Sequence, residues 1–175
     1  MKKTKTSDLV TVSLCAALMC VCSWIQFPSA VPFTLQTFAV FLTATAFGTK
    51  KSLLSTLIYI LLGAVGLPVF SGFQGGVGAL IGPTGGFILG FIPAVLVIGF
   101  LSEKVHRKFI PQALCCVAGL VICYLTGFLC YGTVYANGNF RSAFFVCILP
   151  FIIPDILKIL LAVTVSQRIR KIINK

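Results

Sequence analysis

The stretch Thr84–Ser102, TGGFILGFIPAVLVIGFLS, contains no charged side chain. A helix of about 20 mainly apolar residues is long enough to cross the hydrocarbon core of a bilayer. The apolar side chains follow one another without the alternation that a membrane-spanning strand would show. We therefore interpret this stretch as a membrane-spanning helix.

Comparable apolar runs lie on both sides of this stretch, separated by short polar or proline-containing turns. Together they predict an all-α membrane protein, a bundle of six spanning helices. The expected helices cover approximately residues 9–27, 35–48, 52–66, 84–102, 112–136 and 143–167. At about 20–25 residues a span, a chain of 175 residues has no room for a second soluble domain. We expect residues 1–175 to form a single integral membrane domain.

The composition supports this class. Hydrophobic residues make up 58% of the chain and charged residues 10%, whereas a soluble domain has about 25% charged residues. A water-soluble globular protein is nearly excluded, and the dense basic face of a nucleic-acid-binding protein is missing. The eight cysteines lie in apolar stretches, unlike the polar loops that present zinc ligands. We expect them to be packing residues, and we expect neither a metal site nor a cofactor.

The basic residues predict the orientation of the bundle. The chain has 14 Lys and Arg against three Asp and Glu, a net charge of +11. Six helices place both termini on one side, and only Arg141 among the loop residues falls on the other. The positive-inside rule therefore places both termini in the cytoplasm. The twelve basic residues on that side are Lys2, Lys3, Lys5, Lys50, Lys51, Lys104, Arg107, Lys108, Arg168, Arg170, Lys171 and Lys175.

Two charged side chains lie inside the sixth span. Asp155 and Lys158 are three residues apart, so they share one helix face. An unpaired charge at mid-helix costs roughly 2.5–3.5 kcal/mol on insertion scales, and such residues usually have a function. One interpretation is an ion pair that neutralises itself for structural reasons. We favour a cavity in the outward half of the membrane, in which Lys158 meets an anionic group and Asp155 accepts hydrogen bonds from a polar ligand.

A glycine-rich segment follows the third predicted helix and is expected to be an external loop. Nine of the sixteen glycines lie between Gly66 and Gly90. A phosphate-binding loop is excluded because no Gly-Lys-Ser/Thr follows the glycines. The segment could press its backbone against a ligand, or the small residues spaced four apart from Gly78 onward could pack helices together. The aromatic Phe70 and Phe73 and the external position favour a binding loop.

The first external loop, residues 28–37, lies on the same side. Prolines stiffen it, and it carries several hydrogen-bonding side chains. It is either an ordinary turn with Thr34 as N-cap or a lid over a binding site.

Small residues four apart also occur on the first helix, as the pairs Ser13/Ala17 and Ala16/Cys20. Such pairs allow another helix to approach closely. That helix could belong to this chain or to a partner.

Four motifs resemble those of a known family. They are Val31-Pro-Phe-Thr-Leu-Gln36, Gly66-Leu-Pro-Val-Phe70, Gly82-Pro-Thr-Gly-Gly86 and Pro154-Asp-Ile-Leu-Lys158. In this order they resemble the BioY family, the biotin-specific substrate-binding (S) subunits of energy-coupling factor (ECF) transporters. The resemblance covers essentially the whole chain. It implies a multi-pass protein of the bacterial plasma membrane, with an outward-open pocket that the first loop caps.

The resemblance also implies partners. These are a transmembrane coupling subunit and two ATP-binding-cassette ATPases, which together supply the energy that this chain cannot. Ser13, Ala16, Ala17 and Cys20 stand where the family's helix 1 meets the coupling subunit, in a looser version of its Ala-xxx-Ala pattern. The loaded subunit is expected to tilt in the membrane and release biotin inward.

The chemistry of biotin suits the residues already selected. Asp155 can accept the ureido N–H groups, and Lys158 is the only cation inside a span that could meet the carboxylate, for which Arg141 competes. Aromatic and glycine surfaces suit the apolar ring. The expected substrate-binding residues are Asp155, Lys158, Phe33, Thr34, Gln36, Phe70, Gly75, Gly76, Gly78, Thr84 and Gly85. We expect a high-affinity biotin-binding subunit that captures biotin outside the cell, without enzymatic activity or nucleic-acid partner.

Other functions remain as alternatives. An intramembrane hydrolase is disfavoured because the only histidine, His106, lies in a cytoplasmic loop and no Gly-x-Ser-x-Gly motif occurs. A subunit for another vitamin, such as riboflavin or thiamine, would need a larger aromatic cage than the single Trp24 suggests. A stand-alone ion-coupled transporter would use Asp155 as its carrier. A purely structural helix-packing protein would leave the charged pair without a role.

Overall fold

The computed structural model describes residues 5–27, 31–105 and 108–173. These residues form eight α-helices, two 3-10 helices and one antiparallel pair of two-residue strands. The helices are α1 (Lys5–Trp24), α2 (Gln36–Phe47), α3 (Thr49–Ala64), α4 (Val77–Ile81), α5 (Gly85–Lys104), α6 (Phe109–Val134), α7 (Phe140–Cys147) and α8 (Ile152–Ile173). The strands are β1 (Gln26–Phe27) and β2 (Phe33–Thr34), and the 3-10 helices are Ser71–Phe73 and Leu149–Phe151.

Several residues singled out in the sequence lie outside the described residues. They are Lys2, Lys3, His106, Arg107, Lys175 and residues 28–30 of the first loop.

Among the described residues, four helical stretches are long and apolar enough to cross a membrane: Thr6–Trp24, Gly85–Lys104, Phe109–Val134 and Phe140–Ile172. The mainly helical architecture is therefore as the sequence predicts. The second predicted span, α2, has only 12 residues, about 18 Å at 1.5 Å per residue. It packs against α1, α3, α5 and α8. Its apolar side chains extend around the whole helix because protein surrounds it, and Ala39, Phe41 and Ala44 are at most 1% exposed.

The sixth predicted helix, residues 143–167, is interrupted in the structure. The structure divides this segment into α7, the 3-10 helix Leu149–Phe151 and α8. Pro150 explains the interruption, because its ring has no N–H and clashes with the carbonyl four residues earlier. Pro154 causes no second break, because it lies in the first turn of α8, where the backbone N–H groups have no partner within the helix.

The loops also contain more regular structure than the sequence indicates. The glycine-rich segment holds the 3-10 helix Ser71–Phe73 and the short helix α4. Gln26 pairs with Thr34 and Phe27 with Phe33, so the first predicted helix, residues 9–27, ends earlier, at Trp24. Strands this short carry no readable alternation, which is why the all-α prediction omitted them.

Polar contacts connect the ends of several helices at one end of the bundle. Asp8 of α1 forms an ion pair with Lys51 of α3 at 2.6 Å. Glu103, in the last turn of α5, accepts hydrogen bonds from the backbone N–H of Thr49 at 2.8 Å and from its hydroxyl at 2.9 Å. Arg170 of α8 donates to Ala46 O at 3.2 Å. We call this the basic end, because Lys50, Lys104, Lys108, Arg168 and Lys171 also lie in the segments that meet here.

Glycines bring α5 and α6 together. A Cβ atom on Gly86 would lie 2.9 Å from Thr126 O and 3.1 Å from Gly127 Cα. One turn further along α5, a Cβ on Gly90 would overlap the Thr126 side chain. The repeating glycines of α5 therefore serve the contact between helices, which was one of the two interpretations of their spacing.

Candidate functional site

A cleft lies at the end of the bundle opposite the basic end. It encloses about 490 Å³ of space, which includes its open mouth. Residues from the first loop, the glycine-rich segment and helices α2, α5, α6 and α8 meet there. The lining residues are Val31, Pro32, Thr34, Gln36, Thr37, Ser71, Thr84, Phe87, Ile88, Phe91, Cys123, Tyr124, Phe151, Asp155 and Lys158.

The interruption before α8 positions the charged pair in this cleft. Because α8 begins at Ile152, Asp155 lies in its first turn, where the positive end of the helix dipole favours a carboxylate. Lys158 follows three residues later on the same face. The side chains are 2% and 7% exposed, and Lys158 Nζ lies 2.7 Å from Asp155 Oδ1.

The ammonium of Lys158 has three hydrogen-bonding partners. Besides Asp155 Oδ1, it donates to Thr34 O at 2.7 Å and to Thr37 Oγ1 at 3.2 Å. Nζ also lies 4.8 Å from the centroid of the Phe33 ring. Since an ammonium carries three protons, a ligand acceptor must replace or share one of these partners.

The carboxylate of Asp155 is bound on both oxygens. Oδ1 accepts from the Thr37 hydroxyl at 2.8 Å, and Oδ2 accepts from the Tyr124 hydroxyl at 2.6 Å. Together with Lys158, three of about four acceptor positions of the carboxylate are used. The fourth position is compatible with one N–H donor of a ligand.

The wall beside the pair is partly aromatic. Phe33 stacks on Phe151 with ring centroids 4.9 Å apart and an interplanar angle of 17°. Thr34 Oγ1 donates to Gln36 Oε1 at 2.9 Å. The Gln36 amide in turn donates to the hydroxyl of Tyr59, which is fully buried. The cleft thus combines a flat apolar surface with a fixed group of donors and acceptors.

The structure brings five of the predicted substrate-binding residues to the cleft: Thr34, Gln36, Thr84, Asp155 and Lys158. Phe33 lies beside them through its contacts with Phe151 and Lys158.

The other predicted substrate-binding residues do not line this cleft. Phe70 is buried against Tyr59 and Gly63. A Cβ on Gly75 would overlap Leu67 O, one on Gly85 would overlap Leu80 O, and Gly76 N donates to Gly63 O at 2.7 Å. Gly78 faces open space.

Comparisons with known proteins show the family of this chain. The model of the BioY family matches residues 1–175. The chain belongs to the BioY family. It is 41% identical to "Biotin transporter BioY" of Thermotoga maritima over 94% of this chain and 96% of that protein. It is 38% identical to "Probable biotin transporter BioY" of Pyrococcus horikoshii, over 95% of this chain and 98% of that protein.

A solved structure shares the fold. The S-component for biotin from an ECF-type ABC transporter matches with a TM-score of 0.90 at 22% sequence identity. The match covers 98% of this chain and 94% of that chain. This BioY-family chain therefore has the S-component fold.

Sequence reasoning missed several cleft residues of this BioY-family chain. The most important are Tyr124 and Thr37, whose hydroxyls bind Asp155. Thr37 stood in the polar loop that was noted, but Tyr124 lies in an apolar run with no local signal except its hydroxyl. Ser71, Phe87 and Phe151 were likewise missed, because only the tertiary fold brings them beside the pair.

The small residues of α1 divide between two faces. Ala16 and Cys20 are buried, at 3% and 8% exposure, and Ser13 and Ala17 are exposed. Ala16 and Cys20 therefore contribute to internal packing, whereas the exposed pair leaves a shallow surface between large apolar side chains such as Leu14 and Val21.

Within the described residues, no group of three or more His, Cys, Asp or Glu could hold a metal ion. The eight cysteines are free, and seven of them are buried.

Proposed function

We propose that this chain is the high-affinity biotin-binding subunit of an ECF-type vitamin transporter, and that the cleft around Asp155 and Lys158 is its biotin site. The observation that carries the proposal is a buried, hydrogen-bonded ion pair that lines an open cleft. The names of the similar proteins support biotin as the ligand.

Because Asp155 and Lys158 lie so close together, we expect both to bind the same polar group of the ligand. Biotin's ureido group and its carboxylate are separated by the fused rings and the alkyl chain, whereas Lys158 Nζ and Asp155 Oδ1 are only 2.7 Å apart. A ureido group presents N–H donors next to a carbonyl acceptor. In our proposal its N–H binds Asp155 and its carbonyl oxygen binds Lys158, which replaces the expectation that Lys158 meets the carboxylate.

The carboxylate then needs another partner. Arg141 is exposed on α7, and α7 follows the end of α6 that lies opposite the basic end. Among the described residues it is the one basic side chain at that end besides Lys158. We assign Arg141 to the biotin carboxylate, for which the sequence already offered it as an alternative to Lys158.

Biotinamide, which lacks the negative charge, tests this assignment. Lys158→Met should weaken biotin and biotinamide equally, because both keep the ureido group. Arg141→Gln should weaken biotin and leave biotinamide unchanged. If Lys158→Met weakened biotin alone, Lys158 would be the carboxylate partner and the assignment would be wrong.

Transport requires further parts. In our proposal the chain is a single integral membrane domain of six spans with both termini in the cytoplasm of a bacterium. The gathering of basic side chains at one end of the bundle supports this orientation. Because the chain carries no phosphate-binding loop, two ATPases and a transmembrane coupling subunit supply the energy and the inward release. Uptake should depend on their co-expression, and an ion-coupled transporter would not need them.

Calorimetry of the detergent-purified protein tests the substrate. We expect saturable binding of biotin, weaker binding of dethiobiotin, and no binding of riboflavin or thiamine. Binding of a different vitamin in place of biotin would contradict the proposal and support the alternative of a subunit for that vitamin. Cytoplasmic and periplasmic reporters fused to each terminus test the orientation separately.

A further inference from the structure

The C-terminal end of α1 contacts residues 68–73, which follow α3 in the chain, through hydrogen bonds and ring stacking. Trp24 Nε1 donates a hydrogen bond to Pro68 O at 2.8 Å, and Ser23 Oγ lies 2.5 Å from Val69 O and 2.6 Å from Cys20 O. The Trp24 ring also stacks on Phe73, with centroids 5.3 Å apart and 23° between the planes. Two consecutive side chains of α1 therefore bind two consecutive carbonyls of an irregular segment, whose polar groups need such partners.

The conformation of this segment depends on that support. Phe73 has φ +57°, in the left-handed region that bulky side chains rarely adopt. A residue holds such a conformation only where its surroundings fix it. The side chain of Phe73 is itself 64% exposed. Two contacts support the turn: the stacked Trp24 ring, and the hydrogen bond that Phe70 N donates to Gln74 O at 2.9 Å.

The same turn forms part of the cleft wall. Ser71, two residues before Phe73, lines the cleft and is 6% exposed. Its hydroxyl donates to Gln26 Oε1. Gln26 is the β1 residue that pairs with Thr34 of β2, and Thr34 O accepts the hydrogen bond from Lys158 at 2.7 Å. Gln26 therefore contacts both Ser71 and Thr34, two residues that line the cleft.

We propose that Trp24 and Gln26 are positioning residues of the cleft. Neither lines it, and both act through residues that do: Trp24 fixes the turn that carries Ser71, and Gln26 holds Ser71 and Thr34 in register. A bound ligand is retained only while this end of α1 stays attached to the segment. The inference rests on the proposed function in one respect, since biotin is the ligand used to test it.

Dissociation of radiolabelled biotin from the purified protein is the first test. Trp24→Phe keeps an aromatic ring against Phe73 and removes the N–H donor, and Gln26→Leu removes the partner of Ser71. Each should speed dissociation about fivefold, the effect of one lost hydrogen bond. Gln26→Leu combined with Ser71→Ala should be no faster than Ser71→Ala alone, because the two residues act through one bond.

A matched control separates positioning from general loosening. Tyr135→Phe removes a bond of the same kind, from an aromatic side chain to a loop carbonyl, Ile81 O at 2.7 Å, and Ile81 does not line the cleft. It should leave the dissociation rate unchanged. A fall in thermal stability of the Trp24 and Gln26 variants with parental dissociation rates would overturn the proposal, because their role would then be structural only.

Fluorescence provides a readout that needs no ligand. Trp24 is the only tryptophan of the chain. In the ligand-free protein, Gln26→Leu and Ser71→Ala should shift its emission to longer wavelength, because a loosened turn exposes the indole to water. If biotin failed to bind the parent, the proposed function would fail while this shift was still expected. If biotin bound and neither variant moved the emission, the positioning role would be refuted and the proposed function would stand.

Discussion

Removing the charges of Asp155 and Lys158, singly and together, distinguishes a binding site from a structural ion pair. Asp155→Asn keeps the size of the side chain and an oxygen that can accept from Tyr124. It leaves the Lys158 ammonium, 7% exposed, without its counter-charge. Breaking a buried pair in this way costs about 3–5 kcal/mol. For a domain of about 150–250 residues, this corresponds to a fall of about 10 °C in the midpoint of thermal unfolding.

The double variant Asp155→Asn/Lys158→Gln carries neither charge, so no uncompensated charge stays buried. We expect it to recover most of the lost stability, since neutral replacements of a buried pair are often tolerated. Biotin affinity should not recover. Loss of one hydrogen bond to a charged group costs about 1.5–3 kcal/mol, so Kd should rise about 10- to 100-fold in each single variant and at least as much in the double.

The assays are thermal unfolding and calorimetric titration with biotin, both in detergent. Asp8→Asn is a suitable control, because it breaks an ion pair of similar length, 2.6 Å to Lys51, whose side chains are 49% and 31% exposed. Exposed pairs contribute at most about 1 kcal/mol, so we expect little change in stability and none in binding. Parental affinity in the double variant would refute the reasoning and show that the pair is structural.

Three further predictions concern other parts of the structure. Tyr124→Phe removes the donor to Asp155 Oδ2 and should weaken biotin about three- to tenfold in calorimetry; an unchanged Kd would remove Tyr124 from the site. Gly86→Ala should destabilise the protein by about 1–3 kcal/mol, because its Cβ would meet the α6 backbone 2.9 Å away. The control Gly78→Ala, at a position in open space, should leave the midpoint of thermal unfolding unchanged. Equal midpoints for the two variants would contradict the α5–α6 contact. Ala17→Leu should reduce biotin uptake by cells that carry the coupling subunit and ATPases, while biotin binding stays intact. Val121→Leu on α6 is the control and should leave uptake unchanged. Full uptake by the Ala17→Leu variant would place the coupling contact elsewhere.

Only part of the site could be predicted from the sequence. The pair Asp155 and Lys158 could be selected because charge inside an apolar run is conspicuous, and its i,i+3 spacing fixes a common face. Tyr124 could not be selected, because a tyrosine in an apolar helix has many possible neighbours. The glycines Gly75 and Gly85 were placed at the ligand because permissive backbone suggests close approach. In the structure, the group they approach is the chain's own backbone.

Composition and the lengths of the apolar runs alone determined a helical membrane protein, because burying polar backbone in lipid leaves few alternatives. The clustering of basic residues likewise predicted which loops share one end, since charge in loops can be counted without knowing the contacts. Tertiary structure alone decided that α2 is surrounded by protein and that Asp155 is bound by hydroxyls from α2 and α6. These features depend on residues distant in the chain, whose proximity is set by packing and leaves no local pattern to detect.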